Sequence, residues 1–135
     1  MKTASWFTKL PADHLMIGIS RGVPRGLPAG YRLFRALAPG PWFNSVTEAE
    51  YLRRYRTEIL DRLDPLETAA RLVQLASDRI PVLACYERPD GPKWCHRSVA
   101  ARWLSEALHE PVPEFGYEHL QQHEHPLQPP SWRRG

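Results

Sequence analysis

The sequence holds no apolar run approaching the ~20 residues that a membrane-spanning helix needs. Its first residues, Met1-Lys2-Thr3-Ala4-Ser5-Trp6, lack the continuous apolar stretch of a secretory signal. A cytoplasmic location with no membrane partner is the expectation that follows. Cysteine is scarce: the chain has two, too few for a disulfide-framed scaffold, and in a reducing compartment they are expected as free thiols. Lysine is confined to Lys2, Lys9 and Lys93, so the rest of the 18 basic residues are arginines.

What is present suits one compact domain. Hydrophobic residues make up 42% of the 135 and charged residues 24%, ordinary globular proportions that allow a packed core. The 14 prolines gather between Val23 and Trp42 and after Pro111, so they mark loops. A net charge of +3 is modest, but Arg21, Arg25, Arg32 and Arg35 stand together with no acid between them. Such a cluster can attract phosphate or another anion, and a merely solvated loop accounts for it equally well.

Along the chain, Thr3–Phe7 reads as a short first strand. Leu15-Met16-Ile17-Gly18-Ile19 has the continuous apolar character of a strand buried on both faces, as in a parallel sheet. No periodicity appears between residues 20 and 46, a length that points to a binding or mobile loop unless a short helical turn near Tyr31–Leu37 interrupts it. Thr47 and Glu50 have capping-box spacing, and Tyr51, Leu52, Tyr55, Ile59 and Leu63 recur on one face of a helix. Asp64-Pro65-Leu66-Glu67 starts a second helix, its expected apolar face being Leu66, Ala69, Ala70, Leu72, Val73 and Ala76. Ile80–Cys85 reads as a second buried strand, and His96–His109 as a third helix with Trp103 inward. A short strand is expected near Val112–Phe115. The domain is expected to end near residue 117, leaving 118–135, with His119, His123 and His125, as a flexible, solvated tail.

Strands alternating with helices predict an α/β fold: a small three-layer domain with a short, mostly parallel sheet flanked by helices. Ligands in such folds bind beyond the carboxyl ends of the strands. If the two buried strands are parallel neighbours, Ser20-Arg21-Gly22 and Cys85-Tyr86-Glu87 leave the sheet side by side.

The residues that can carry chemistry are Cys85, Glu87 and Cys95-His96-Arg97-Ser98, the last four entering a helix. A helix's first turn offers unpaired N–H groups and the positive end of its dipole. With Arg97, Ser98, Ser20 and Arg21 nearby, an anion has a place to sit. A thiol there has its pKa lowered, which suits Cys95 or Cys85 as nucleophile, His96 as proton partner and Glu87 as general acid or base. Three other readings stay open: an anion site in which the cysteines only pack, a metal site, and a Cys85–Cys95 disulfide. The metal spacing matches no standard zinc pattern, so no metal or cofactor is expected. Compartment disfavours the disulfide. A tyrosine-phosphatase loop is excluded, since it needs a longer spacing between Cys and Arg than Cys95 and Arg97 have.

Val82-Leu83-Ala84-Cys85-Tyr86-Glu87, followed by Trp94-Cys95-His96-Arg97-Ser98-Val99-Ala100-Ala101-Arg102-Trp103-Leu104, resembles the signature of the domain of unknown function 488 family. Ile17–Pro24 and the Tyr51–Leu60 helix resemble its short branch, so the likeness covers roughly residues 3–110. It implies an α/β fold and a site clustered from Cys85, Glu87, Cys95, His96 and Arg97, and it names no reaction. The longer branch carries an Asp-Val-Arg stretch after its early strand, where this chain has Ser20-Arg21.

Three functions compete on this reading. One is a thiol-dependent enzyme that binds a phosphate-bearing small molecule or nucleotide. The runner-up is a non-catalytic module that uses the arginine- and aromatic-bearing loop 21–43 to hold nucleic acid or protein. The third is a redox-sensitive or metal-stabilised regulator.

Overall fold

The short apolar runs pair into a sheet, as their double-sided burial requires. In the computed structural model, which describes residues 1–133, the strands are β1 (Lys2–Ser5), β2 (His14–Gly18), β3 (Arg32–Leu33) and β4 (Ile80–Cys85). All pairings are parallel and the strand order is β1-β4-β2-β3. The register sets Ile17 beside Leu83 and Gly18 beside Ala84. The β2–β4 adjacency expected from the sequence is therefore present. The strand sensed near Val112–Phe115 is reduced to a parallel bridge from Glu114 to Thr3, with Thr3 N–H on Pro113 O at 2.9 Å and Phe115 N–H on Thr3 O at 2.8 Å.

The helices are α1 (Glu48–Arg54), α2 (Pro65–Ala76) and α3 (His96–Leu108). Each starts where the side chains demand. Thr47 Oγ1 accepts from Glu50 N and Asp64 Oδ2 from Glu67 N, while Pro65 takes the first turn, where its missing N–H leaves no bond unmade. α1 continues through a wide turn at Tyr55–Ile59 and a tight one at Leu60–Arg62. α2 and α3 pack on the sheet face that carries Leu15, Ile17, Ile19 and Leu83, and Tyr51 of α1 joins the same core. Trp6 and the loop carrying Tyr31 cover the other face, with the two rings edge to face at 5.3 Å. The structureless stretch after Ser20 is broken by β3 and by a turn at Arg35–Leu37, which seats Leu37 in the core.

Two expectations need correction. In α2 the buried face is Thr68, Ala69, Leu72 and Ala76, whereas Leu66 (56% exposed) and Val73 (52%) face outward. Ala69, Leu72 and Ala76 are buried as expected, in the helix that packs against α3 and β4, while Ala70 is exposed along with Leu66 and Val73. The segment from residue 118 also packs down, as far as it is described; residues 134–135 lie outside the described residues. Leu127 and His125 are buried, Cys95 N–H donates to Leu127 O at 3.0 Å, and Ser131 N–H reaches Glu48 Oε2 at 3.1 Å. Its anchors are isolated apolar residues and polar contacts, which leave no periodic signal in the sequence.

Gly18 is where fold and site meet. A Cβ there would run into the Trp6 ring and come within 3.0 Å of Leu33 Cδ2. Gly18→Ala is expected to destabilise by about 1–3 kcal/mol through overpacking. Because Trp6 Nε1 donates to Ser20 Oγ at 2.8 Å, the same substitution should displace Ser20. Denaturant midpoints and Trp fluorescence check both parts, and an unchanged midpoint would count against the close Trp6–Gly18 packing.

Candidate functional site

Because β2 and β4 are parallel neighbours, their carboxyl ends open side by side. Ile19 N–H still pairs with Ala84 O at 2.9 Å, and beyond that point the two loops separate. The N-terminus of α3 comes to the same edge, where Cys95 caps the helix and its sulfur accepts from Arg97 N at 3.5 Å. Between these elements lies a cavity of about 550 Å³. Ser20, Arg21, Cys85, Glu87, Cys95 and His96 all line it, with Phe43, Tyr51, Trp94 and Lys93 completing the wall. Arg97 and Ser98 do not.

The two cysteines are joined as a Cys85–Cys95 disulfide, which leaves neither free and corrects the expectation of two thiols. Compartment speaks to the redox conditions around a protein, not to geometry. Here the end of β4 and the cap of α3 put both sulfurs at one sheet edge. Both are buried, and Leu127 packs against them from behind. With His96 they form a group whose ligand-type atoms lie within 4.8 Å of one another. Sulfurs bonded to each other have no thiolate charge to give a cation.

His96 is held by its far nitrogen. Nε2 lies 2.8 Å from Ile19 O, so it carries the proton and donates, and Nδ1 is left as a lone pair. That lone pair faces Cys95 Sγ at 3.8 Å. Burial lowers the ring's pKa to about 4, the Ile19 hydrogen bond opposing and Arg97 adding to the fall. The ring rests edge-on against Tyr55, whose hydroxyl donates to Leu37 O at 2.7 Å.

Arg97 has a different job from the one expected. It is 0% exposed, with Nε and Nη2 gripping the Glu114 carboxylate at 2.9 and 2.7 Å. Its remaining nitrogen, Nη1, points at Cys85 Sγ from 3.1 Å. No outside anion can reach a fork already filled by Glu114, so the expected anion-binding role of Arg97 is corrected to that of a buried partner of Glu114 and Cys85. Ser98 likewise turns inward, its hydroxyl donating to Cys95 O at 2.8 Å.

Glu114 and His125 were missed as candidates. Leu127 N–H donates to His125 Nδ1 at 3.1 Å, so the proton sits on Nε2 and is given to Thr3 Oγ1 at 2.8 Å; Thr3 in turn donates to Glu114 Oε1 at 2.7 Å. The one signal for Glu114 was its place two residues after Val112, on the inward side of an alternating stretch.

At the rim, Ser20 Oγ donates to Gly22 O at 2.6 Å, and Arg21 Nη1 donates to Pro39 O at 3.0 Å while lying over Phe43. Arg35 Nη1 donates to Arg21 O at 3.1 Å. These bonds use the loop's arginines to order it as a cavity wall. Across the cavity, Tyr51 is held protonated, its pKa well above the usual phenol value because of burial first and the nearby Glu87 charge second.

The family model of the active DUF488-N3 subclade, DUF488-N3a, matches residues 4–108. No curated protein and no solved structure matches the chain.

Proposed function

The chain belongs to the DUF488-N3a subclade, and from that premise we propose that it is a thiol-dependent enzyme. Its substrate is a phosphate-bearing or otherwise anionic small molecule or nucleotide, taken into the cavity between the ends of β2 and β4. The observation that carries this reading is His96: a buried neutral imidazole, clamped by Ile19 O, with its free lone pair aimed at Cys95 Sγ. The designation of the subclade as active supports a retained catalytic constellation.

In the reduced protein Cys95 S–H has an acceptor in Nδ1. Proton transfer leaves a thiolate at the cap of α3, where Arg97 N–H and the helix dipole favour negative charge. The low pKa of His96 belongs to a ring with nothing negative in front of it. A thiolate at that position raises the ring's proton affinity as the ring lowers the thiol's, so the two titrate as a pair. Glu87, half-buried on the wall, serves as general acid or base toward the substrate. Arg21 and Lys93 meet the anion, and Phe43 and Trp94 offer ring faces to a base.

The test is the rate of Cys95 alkylation against pH in reduced protein, with the modified site located by mass spectrometry. Cys95 is expected to react with an apparent pKa at least one unit below the unperturbed value of about 8.5. His96→Gln should move it back toward that value. A wild-type curve centred on about 8.5 and unchanged by His96→Gln would sink the reading.

A further inference from the structure

We propose that the Cys85–Cys95 bond is a reversible redox switch on the cavity wall, opened by dithiols and closed by small disulfides, and not a structural staple. The switch regulates the site proposed above, and rests on that reading only for what it regulates.

The polar groups around the bond are arranged for the reduced form. Arg97 Nη1 is directed at Cys85 Sγ, and the His96 Nδ1 lone pair at Cys95 Sγ. A disulfide sulfur has no proton to give the imidazole and no charge to hold the guanidinium. In the oxidised protein, then, one buried acceptor faces a partner without a hydrogen, and one buried donor faces a poor acceptor. Both mismatches disappear on reduction: a Cys85 thiolate accepts from Arg97, and the Cys95 thiol donates to His96. Polar groups buried without a proper partner are penalised, and here the penalty falls on the oxidised state alone. Disulfides whose reduced form is the better stabilised are the stronger oxidants and the more readily opened.

As a staple the bond would add less than one that closes a longer loop. Its sequence separation is only 10 residues, and closing a short loop removes the least entropy from the unfolded chain. The residues it joins are already fixed, since Trp6 N–H donates to Cys85 O and Cys95 N–H to Leu127 O. Access is one-sided. Leu127 closes the back of the pair, while both cysteines line the cavity.

The exchange balances. One thiolate of the dithiol attacks Cys95 Sγ, forming a mixed disulfide as the Cys85–Cys95 bond breaks. Cys85 leaves as a thiolate on Arg97. The second thiol of the reductant then attacks its own bonded sulfur, and the dithiol departs as a cyclic disulfide. Cys95 leaves with a proton shared with His96, and the other proton goes to solvent. Two electrons have moved from the dithiol to the pair, and only then does Cys95 carry a nucleophile.

The test is equilibration of the full-length native protein in buffers of dithiothreitol and its oxidised form, then in reduced and oxidised glutathione, with thiols trapped by a mass-tagging maleimide. Wild-type protein is expected to open and close reversibly while folded, as followed by circular dichroism. In His96→Phe, which has no lone pair to satisfy, the equilibrium should shift about tenfold toward the disulfide. Cys85→Ser should leave Cys95 open to alkylation with no reductant added. A pair that resists excess dithiol until denaturant is added would overturn the proposal, and so would reduction that unfolds the protein. If the pair opens reversibly but Cys95 alkylates like an ordinary thiol, the switch stands and the catalytic reading fails.

Discussion

Replacing Glu114 with Ala is expected to cost about 3–5 kcal/mol of folding stability, the penalty for stranding a buried charge. Arg97 is fully buried, and two of its three guanidinium nitrogens rest on this one carboxylate. Without it, a cation stays behind in the interior with Cys85 Sγ as its remaining side-chain partner. The loss also reaches Thr3, whose hydroxyl donates to the same carboxylate, and His125 behind it. Against a typical domain stability of about 5–15 kcal/mol, this is enough to leave the variant largely unfolded at moderate denaturant. Urea unfolding gives the number. The double replacement Arg97→Met with Glu114→Leu removes both charges together and should recover most of the loss. If Glu114→Ala unfolds within about 1 kcal/mol of wild type, the pair is not a buried linchpin of the fold.

Glu114 also shows what the sequence could and could not convey. Chain order and apolar runs were enough for β4, for α3 and for the meeting of Ser20, Arg21, Cys85 and Cys95 at one sheet edge, because parallel neighbours place their ends together whatever the details. Side-chain direction was not available at that level. Arg97 stands in the first turn of α3, where a guanidinium can face solvent or core, and the choice is made by Glu114, a contact between residues 17 apart in sequence. The same applies to the disulfide, which depends on distance rather than composition. In α2 the expected apolar face was too broad: Leu66, Ala70 and Val73 flank Ala69, Leu72 and Ala76, and only the packing partners decide which of them turn inward. Residues 118–133 lacked any period, so their docking through His125, Leu127 and Ser131 left no trace to read. That segment lies beyond the matched residues 4–108, yet it closes the back of the cysteine pair.

Acid should unfold this protein earlier than its surface charges alone would suggest. His96 and His125 are both buried and neutral, each with its pKa lowered to about 4, burial being the main cause in each. For His125, Glu114 pulls the value up and Arg97 pushes it further down; for His96, Arg97 again lowers it while the Ile19 carbonyl opposes. Above pH 6.5 both rings are neutral in folded and unfolded chains, and neither affects the balance. As pH falls from 6.5 toward 4, the unfolded chain takes up two protons that the folded chain refuses, so stability declines through this window. Below about 4 both states are protonated and the decline from these groups ends. A shift of that size corresponds to about 3 kcal/mol for each ring. Urea midpoints measured between pH 7.5 and 4 should therefore fall with a slope approaching two protons. His125→Gln, which keeps a polar side chain but cannot titrate, should reduce that slope to nearly one proton while lowering stability at neutral pH. A flat profile between pH 6.5 and 4.5 would mean that the rings accept protons in the folded state. The imidazole facing Cys95 would then titrate near the ordinary histidine value of about 6.5, and burial would not be what holds it neutral.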